Sequence, residues 1–215
     1  MLAQLTIADP PELWADLGFA VAGGRSWISG VEHVLAGTEA GGRGISSWAL
    51  AGIPELPPED GIDGLVTSLV NGGAPEAPPL GPHPNGVVAI DHVVVATADP
   101  GRTVGCFERV GLSLRRTRDS GTYGTPMRQA FFKLGPIVLE VIGPAEPIAE
   151  FADRPAGFFG LAFTVSDLDA TAAFLGARLH PAKDAVQPGR RIATLDRDTG
   201  STVALAFMSP GPVDY

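Results

Sequence analysis

A chain of 215 residues with 45% hydrophobic and 18% charged residues carries enough apolar material for a substantial core, as one large domain or one domain with a smaller companion. No apolar run approaches the ~18 residues of a membrane span, and the opening MLAQLTIADPPELW meets an acid and two prolines too early for a signal peptide, so a cytoplasmic protein without a membrane partner is expected. The net charge of −9 is concentrated in residues 1–88, where ten acidic groups face two basic ones, a field that repels phosphate backbones and argues against nucleic acid as a partner.

The first elements are short. LAQLTIA reads as a strand, and Asp9 with Pro10-Pro11 leads into a short helix, ELWADLG, stopped at Gly18. FAVAGGRSWIS, VEHVLAGT and ISSWALAGI then read as three strands, with His33 an outward-facing residue of the second. This gives a degenerate βαβββ module over 1–53. Residues 54–88 hold eight of the twenty prolines and read as a Pro/Gly-rich linker. Within it GIDGLVTSLV has the length of a short helix, and His83 in GPHPNG is a turn residue rather than a ligand.

From residue 89 the periodicity is clear. AIDHVVVATA is a strand, Asp99 an N-cap, and Pro100 the first residue of a helix, GRTVGCFERVG, closed by Gly111. The single cysteine, Cys106, excludes an internal disulfide and a cysteine zinc site, and it reads as a small buried residue of this helix. LSLRRTRD, MRQAFFKLG and PIVLEVIGP supply three more strands, with SGTYGTP as a loop. The order β-α-β-β-β recurs from residue 160. GLAFTVS is a strand, Asp167 caps LDATAAFLG, Gly176 stops it, and ARLHPAKDAV, RRIATLDRD and TVALAFMSP follow as strands. His92 stands seven residues before Asp99, as Gly160 does before Asp167, so the two segments align as an internal repeat. The domain at 89–215 thus holds modules at 89–144 and 158–209, an α+β architecture.

Paired modules, the first opening with IDHVVVAT and ending in VLEVIGP, resemble the vicinal oxygen chelate (VOC) superfamily of glyoxalases, bleomycin-resistance proteins and extradiol dioxygenases. The resemblance covers residues 89–209 and reaches 1–53 only in degenerate form. It implies paired βαβββ modules whose sheets enclose a cleft, and a divalent metal (Zn, Mn, Ni or Fe) held from the first and last strand of each module. Carried over residue by residue, His92 and Glu140 are the metal ligands of the first module and, equally, its catalytic acid/base pair. The second module departs from the pattern. Gly160 has no side chain to offer, the last-strand position falls on Ala204, Leu205 or Ala206, and no acid occurs between Thr199 and Val213. His180, Glu150 and Asp153 are the remaining candidate donors, none with a spacing that argues for it.

The residues themselves add candidates for substrate binding. Glu140 interrupts an apolar run, where an unpaired carboxylate would cost several kcal/mol. Gln129 and Phe131 share one face of their strand, an amide beside an aromatic wall. Arg190 and Arg191 lead into a strand and suit two-point contact with a carboxylate or phosphate, and Phe158 and Phe159 flank Gly160. The arginines Arg115, Arg116 and Arg118 form a second basic cluster. The expected function is binding of a small oxygen-rich or anionic molecule in the cleft, with metal-assisted isomerase or lyase chemistry at His92 and Glu140. The alternatives are a metal-free sequestering protein of the bleomycin-resistance type, or a non-catalytic homodimer in which the odd module pairs across a two-fold axis.

Overall fold

The computed structural model describes residues 1–37, 42–56, 61–70, 80–121, 126–151 and 153–211; parts of the expected linker and of the SGTYGTP loop lie outside these. The elements in chain order are β1 (Leu2–Ile7), α1 (Pro11–Asp16), β2 (Arg25–Ile28), β3 (Val31–Leu35), β4 (Ile45–Ala51), β5 (Thr67–Val70) and β6 (Val87–Ala96). Then come α2 (Pro100–Arg109), β7 (Arg116–Ser120), β8 (Met127–Leu134), β9 (Ile137–Pro144), β10 (Gly157–Val165), α3 (Leu168–Leu175), β11 (Lys183–Asp184), β12 (Arg191–Thr194) and β13 (Ala204–Met208). They form an α+β fold of two compact units that cut across the linear segments 1–53, 54–88 and 89–215. Unit 1 is Met1–Gln4, Ser47–Ala74 and His92–Phe159; unit 2 is Leu5–Ser46, Pro75–Asp91 and Gly160–Tyr215.

The two helix starts follow from their caps. Asp99 accepts a hydrogen bond from the Arg102 amide at 2.9 Å, and Asp167 accepts from the amides of Asp169 and Ala170. Each such cap is worth ~1 kcal/mol. Gly111 and Gly176 end the helices at positive φ, 87° and 58°, where a side chain would be strained.

In unit 1 the strands lie in the order β6-β9-β8-β7, with β6 and β9 parallel and the other pairs antiparallel. Alternation divides the residues between two faces. Val93, Val95, Ala130, Phe132, Leu139 and Val141 are fully buried, and α2 lays Phe107 against Phe132 with ring centroids 5.4 Å apart. Trp48 of β4 joins this core, 6.1 Å from Phe107 and 5.1 Å from Phe158, and its indole N–H donates to Thr67. The apolar GIDGLVTSLV segment therefore supplies β5 rather than a helix. Val66, Thr67 and Val70 are β-branched, and the parallel pairing of β5 with β4 outweighs any local helical preference. Its turn is anchored by Asp63, which accepts from Arg102 Nε at 2.8 Å and from the Thr103 hydroxyl.

In unit 2 the order is β11-β12-β13-β10, with β10 and β13 parallel. The N-terminal strands differ from this plan. β3 pairs antiparallel with β2 and lies beside β1, which has β4 on its other side. Trp14, Phe19, Phe163 and Phe207 form the aromatic core, with Phe19 and Phe163 5.3 Å apart. Asp9 is fully buried and accepts from Trp14 Nε1, the Ser201 and Thr202 hydroxyls and the Thr202 amide.

Two histidines belong to this core. His33, expected on the outside, is fully buried, 5.6 Å from the Trp14 ring. It shares its strand face with Val31 and Leu35, and that face is the packed one. His83 holds its turn as expected: Nδ1 accepts from the Ala20 amide at 2.9 Å and Nε2 faces the Trp27 carbonyl at 3.1 Å. Cys106 is half-buried rather than buried, with Arg109 donating to its sulfur.

Burial pushes the His33 pKa down to about 4. The unfolded chain takes up a proton at this position below the usual histidine value of 6.5, whereas the folded one does so only near 4. The stability due to neutral His33 is therefore complete above pH ~6.5 and is lost as pH falls toward ~4, by about 3 kcal/mol in all. Urea unfolding at pH 7 and pH 4.5 is expected to show a drop that shrinks by about that amount in His33→Phe; an unchanged pH dependence in the variant would contradict the burial of a neutral imidazole.

Candidate functional site

The face of the unit 1 sheet turned away from the Phe107–Phe132 core carries the polar residues. Register decides which of them meet. In β6–β9 Glu140 lies opposite Val94, two residues from His92 on the same face. In β8–β9 Glu140 lies opposite Phe131, and Gln129 opposite Ile142. In β7–β8 Arg116 lies opposite Phe131 and Arg118 opposite Gln129. The pleat thus gathers His92, Glu140, Gln129, Phe131, Arg116 and Arg118 on one side, each strand contributing in turn.

Their contacts are specific. The Gln129 side-chain amide donates to Glu140 Oε1. Glu140 Oε2 lies 3.7 Å from His92 Nε2, with the two side chains only 14% and 15% exposed. That separation is beyond a direct hydrogen bond. The Arg116 guanidinium stacks over the Phe131 ring, 4.7 Å from its centroid. Two buried polar atoms of the same row have no hydrogen-bond partner: Gln129 Oε1 and Arg118 Nε. A cavity of about 340 Å³ opens beside α2, lined by Pro100, Val104, Thr117, Arg118, Asp119 and Arg128. The Arg128–Asp119 ion pair satisfies its charges, and that pairing holds the Asp119 carboxyl below its usual range. Arg118 is the residue common to this cavity and the open face.

The corresponding positions of unit 2 lack donors for a structural reason. Register equates Ala206 with Glu140, since Ala206 lies opposite Ala162, two residues after Gly160. At Gly160 itself an added Cβ would come within 2.3 Å of the Ala204 carbonyl oxygen and 2.9 Å of its Cβ. The two parallel backbones approach so closely that no ligating side chain fits there. Resident divalent ions are ordinarily held by at least three protein donors, and among the described residues no group of three or more His, Cys, Asp or Glu is placed to hold one. His92 and Glu140 alone do not fit a resident metal centre.

The other residues expected at the site are engaged within unit 2 or exposed. Arg190 pairs with Asp91 at 2.7 Å and donates to the Ser209 carbonyl and to Thr164, which itself donates to Asp91. Nothing in the sequence marked Asp91 and Thr164 as partners of an arginine so distant in the chain. Arg191 pairs with Asp169 at the surface, and His180 lies 3.6 Å from Asp196. Phe159 is 52% exposed.

Residues 91–194 match the family model of the Glyoxalase/Bleomycin resistance protein/Dioxygenase superfamily. Among solved structures it is similar to the methylmalonyl-CoA epimerase from Mycobacterium tuberculosis, at 26% identity over 59% of this chain and 91% of that one, with a TM-score of 0.48. It is also similar to a variant Streptomyces coelicolor methylmalonyl-CoA epimerase in complex with 2-nitronate-propionyl-CoA, at 22% identity over 60% and 99% of the two chains, TM-score 0.48. No curated protein matches the chain. No helix among the described residues is long and apolar enough to cross a membrane.

The close approach at Gly160 has a measurable consequence. Gly160→Ala is expected to destabilise the protein by ~1–3 kcal/mol through overpacking, read as a lower midpoint in urea. A variant as stable as the parent would show that the missing ligand position is open.

Proposed function

We propose that this chain binds a small, oxygen-rich anionic molecule on the open face of the β6-β9-β8-β7 sheet and moves a proton on it with Glu140 and His92. The supporting observation is the state of Glu140: one oxygen is held by the Gln129 amide, and the other lies 3.7 Å from the His92 imidazole. A carboxylate fixed in this way is aimed, and it can take an acidic proton from a carbon beside a carbonyl. His92, across the gap, donates to the oxygen on which charge develops. Gln129 keeps the carboxylate oriented, Phe131 gives an apolar wall, and the arginines of β7 attract the anionic end. The reaction class is proton abstraction beside a carbonyl, leading to isomerisation, epimerisation or elimination. No step is assigned to a metal, because two donors do not make a resident site.

A sequestering protein is the second reading. The aromatic and cationic shelf of Phe131 and Arg116 favours retention of a planar or anionic ligand, which needs no titration of His92 or Glu140.

The two readings separate in heavy water. Pyruvate, 2-oxobutyrate and methylmalonate are incubated with the protein, and deuterium uptake beside the carbonyl is followed by NMR. Wild type is expected to speed exchange of at least one of them, and Glu140→Gln, which keeps an acceptor for Gln129, to lose ~10²-fold or more. Binding without exchange would select the sequestering protein, and full exchange in Glu140→Gln would remove Glu140 as the base.

A further inference from the structure

We propose that Arg118 and Gln129 form a two-point subsite for a 2-hydroxy carboxylate: the carboxylate accepts from Arg118 Nε, and the hydroxyl donates to Gln129 Oε1. The proposal rests on the reading that the open sheet face is the binding face, and it names the substrate class for that face.

Three observations lead to it. First, Gln129 Oε1 and Arg118 Nε are both buried and both without a hydrogen-bond partner, whereas buried polar groups are otherwise almost always paired. Second, they sit on directly opposed residues of β7 and β8, a pairing that places side chains on one face about 5 Å apart at Cβ. The stacking of Arg116 on Phe131, the adjacent opposed pair, shows that β7 directs its even-numbered arginines onto the face of Gln129 and Phe131. Third, the orientation of the Gln129 amide is fixed by chemistry. Its NH₂ donates to the Glu140 carboxylate; the reversed amide would set oxygen against oxygen, so Oε1 must be the atom turned away.

The two unpaired atoms have opposite character. An acceptor, Gln129 Oε1, lies beside a donor that carries positive charge, Arg118 Nε–H. A plain carboxylate matches the arginine but sets a lone pair against the glutamine oxygen. A plain alcohol matches both dipoles but leaves the charges of Arg118 and Arg116 unanswered, and neither arginine has an acidic partner among the described residues. An anionic oxygen with a hydroxyl on the next carbon answers all three demands. Bound so, the carbon bearing the hydroxyl is directed along the Gln129–Glu140 hydrogen bond toward the acid/base pair. A trapped water has the same donor and acceptor pattern at lower charge, so the hydroxyl of the ligand is the feature to test.

NMR titration with L-lactate, D-lactate and propionate makes the comparison, with far-UV circular dichroism confirming the fold of each variant. One lactate enantiomer is expected to bind ~10-fold or more tightly than propionate, which lacks only the hydroxyl. Gln129→Met should abolish the preference, so that lactate and propionate bind equally, and Arg118→Met should weaken both ligands. Equal affinities for lactate and propionate in wild type, or no binding of either, would overturn the subsite. Selective lactate binding by a protein that exchanges no substrate proton would instead leave the subsite standing and remove the acid/base role of Glu140.

Discussion

Glu140 is a carboxylate on an inner strand, hydrogen-bonded through its backbone to β6 on one side and β8 on the other. That position is costly for a charge, because neighbours on both sides restrict its access to water. The rest of unit 1 can be understood as the means of placing it. The opposite face is filled by valine, leucine and phenylalanine, so the pleat cannot slip by one residue without exposing the core and burying the acid. Gln129 and His92 then arrive from the two flanking strands, and Gln129 offsets part of the charge with its amide. Asp91 is paired with Arg190 and Asp63 with Arg102, while the buried Asp9 is held by neutral donors alone. Glu140 likewise has a neutral donor, Gln129, and its other oxygen lies 3.7 Å from the His92 imidazole.

The two βαβββ modules have diverged in chemistry while keeping the same frame. In both, a capping aspartate seven residues after the strand position sets the helix, and a glycine stops it. The first module kept a histidine, a glutamate and an open face. The second has glycine and alanine at the corresponding positions, and the backbones of β10 and β13 approach closely at Gly160. Its cation, Arg190, became part of an internal network with Asp91, Thr164 and the Ser209 carbonyl.

Much of the fold was legible from residue spacing. The Asp caps, glycine stops and β-α-β-β-β order are local signals, each fixed by a few neighbouring residues, and they lie where the spacing puts them. The errors arose where the outcome depended on distant partners. Alternation in VEHVLAG assigns His33 to the face of Val31 and Leu35, but only Trp14 and Phe163 reveal that this face is covered. GIDGLVTSLV carries no periodicity of its own, and its pairing with β4 decides that it is a strand. At the site, His92, Glu140 and Gln129 stood out as polar residues in apolar strands. Their convergence, and the unpaired atoms of Gln129 and Arg118, follow from strand register, which sequence spacing alone does not specify. The reason for Gly160 is likewise a contact with Ala204, forty-four positions on.

The central claim is that His92 and Glu140 work as an oriented acid/base pair and not as half of a metal centre. Elemental analysis of protein purified without chelators, for the parent and for His92→Ala and Glu140→Ala, tests it most directly. The account predicts well under one equivalent of any transition metal in the parent and no change in either variant. One equivalent in the parent, lost in both variants, would contradict it.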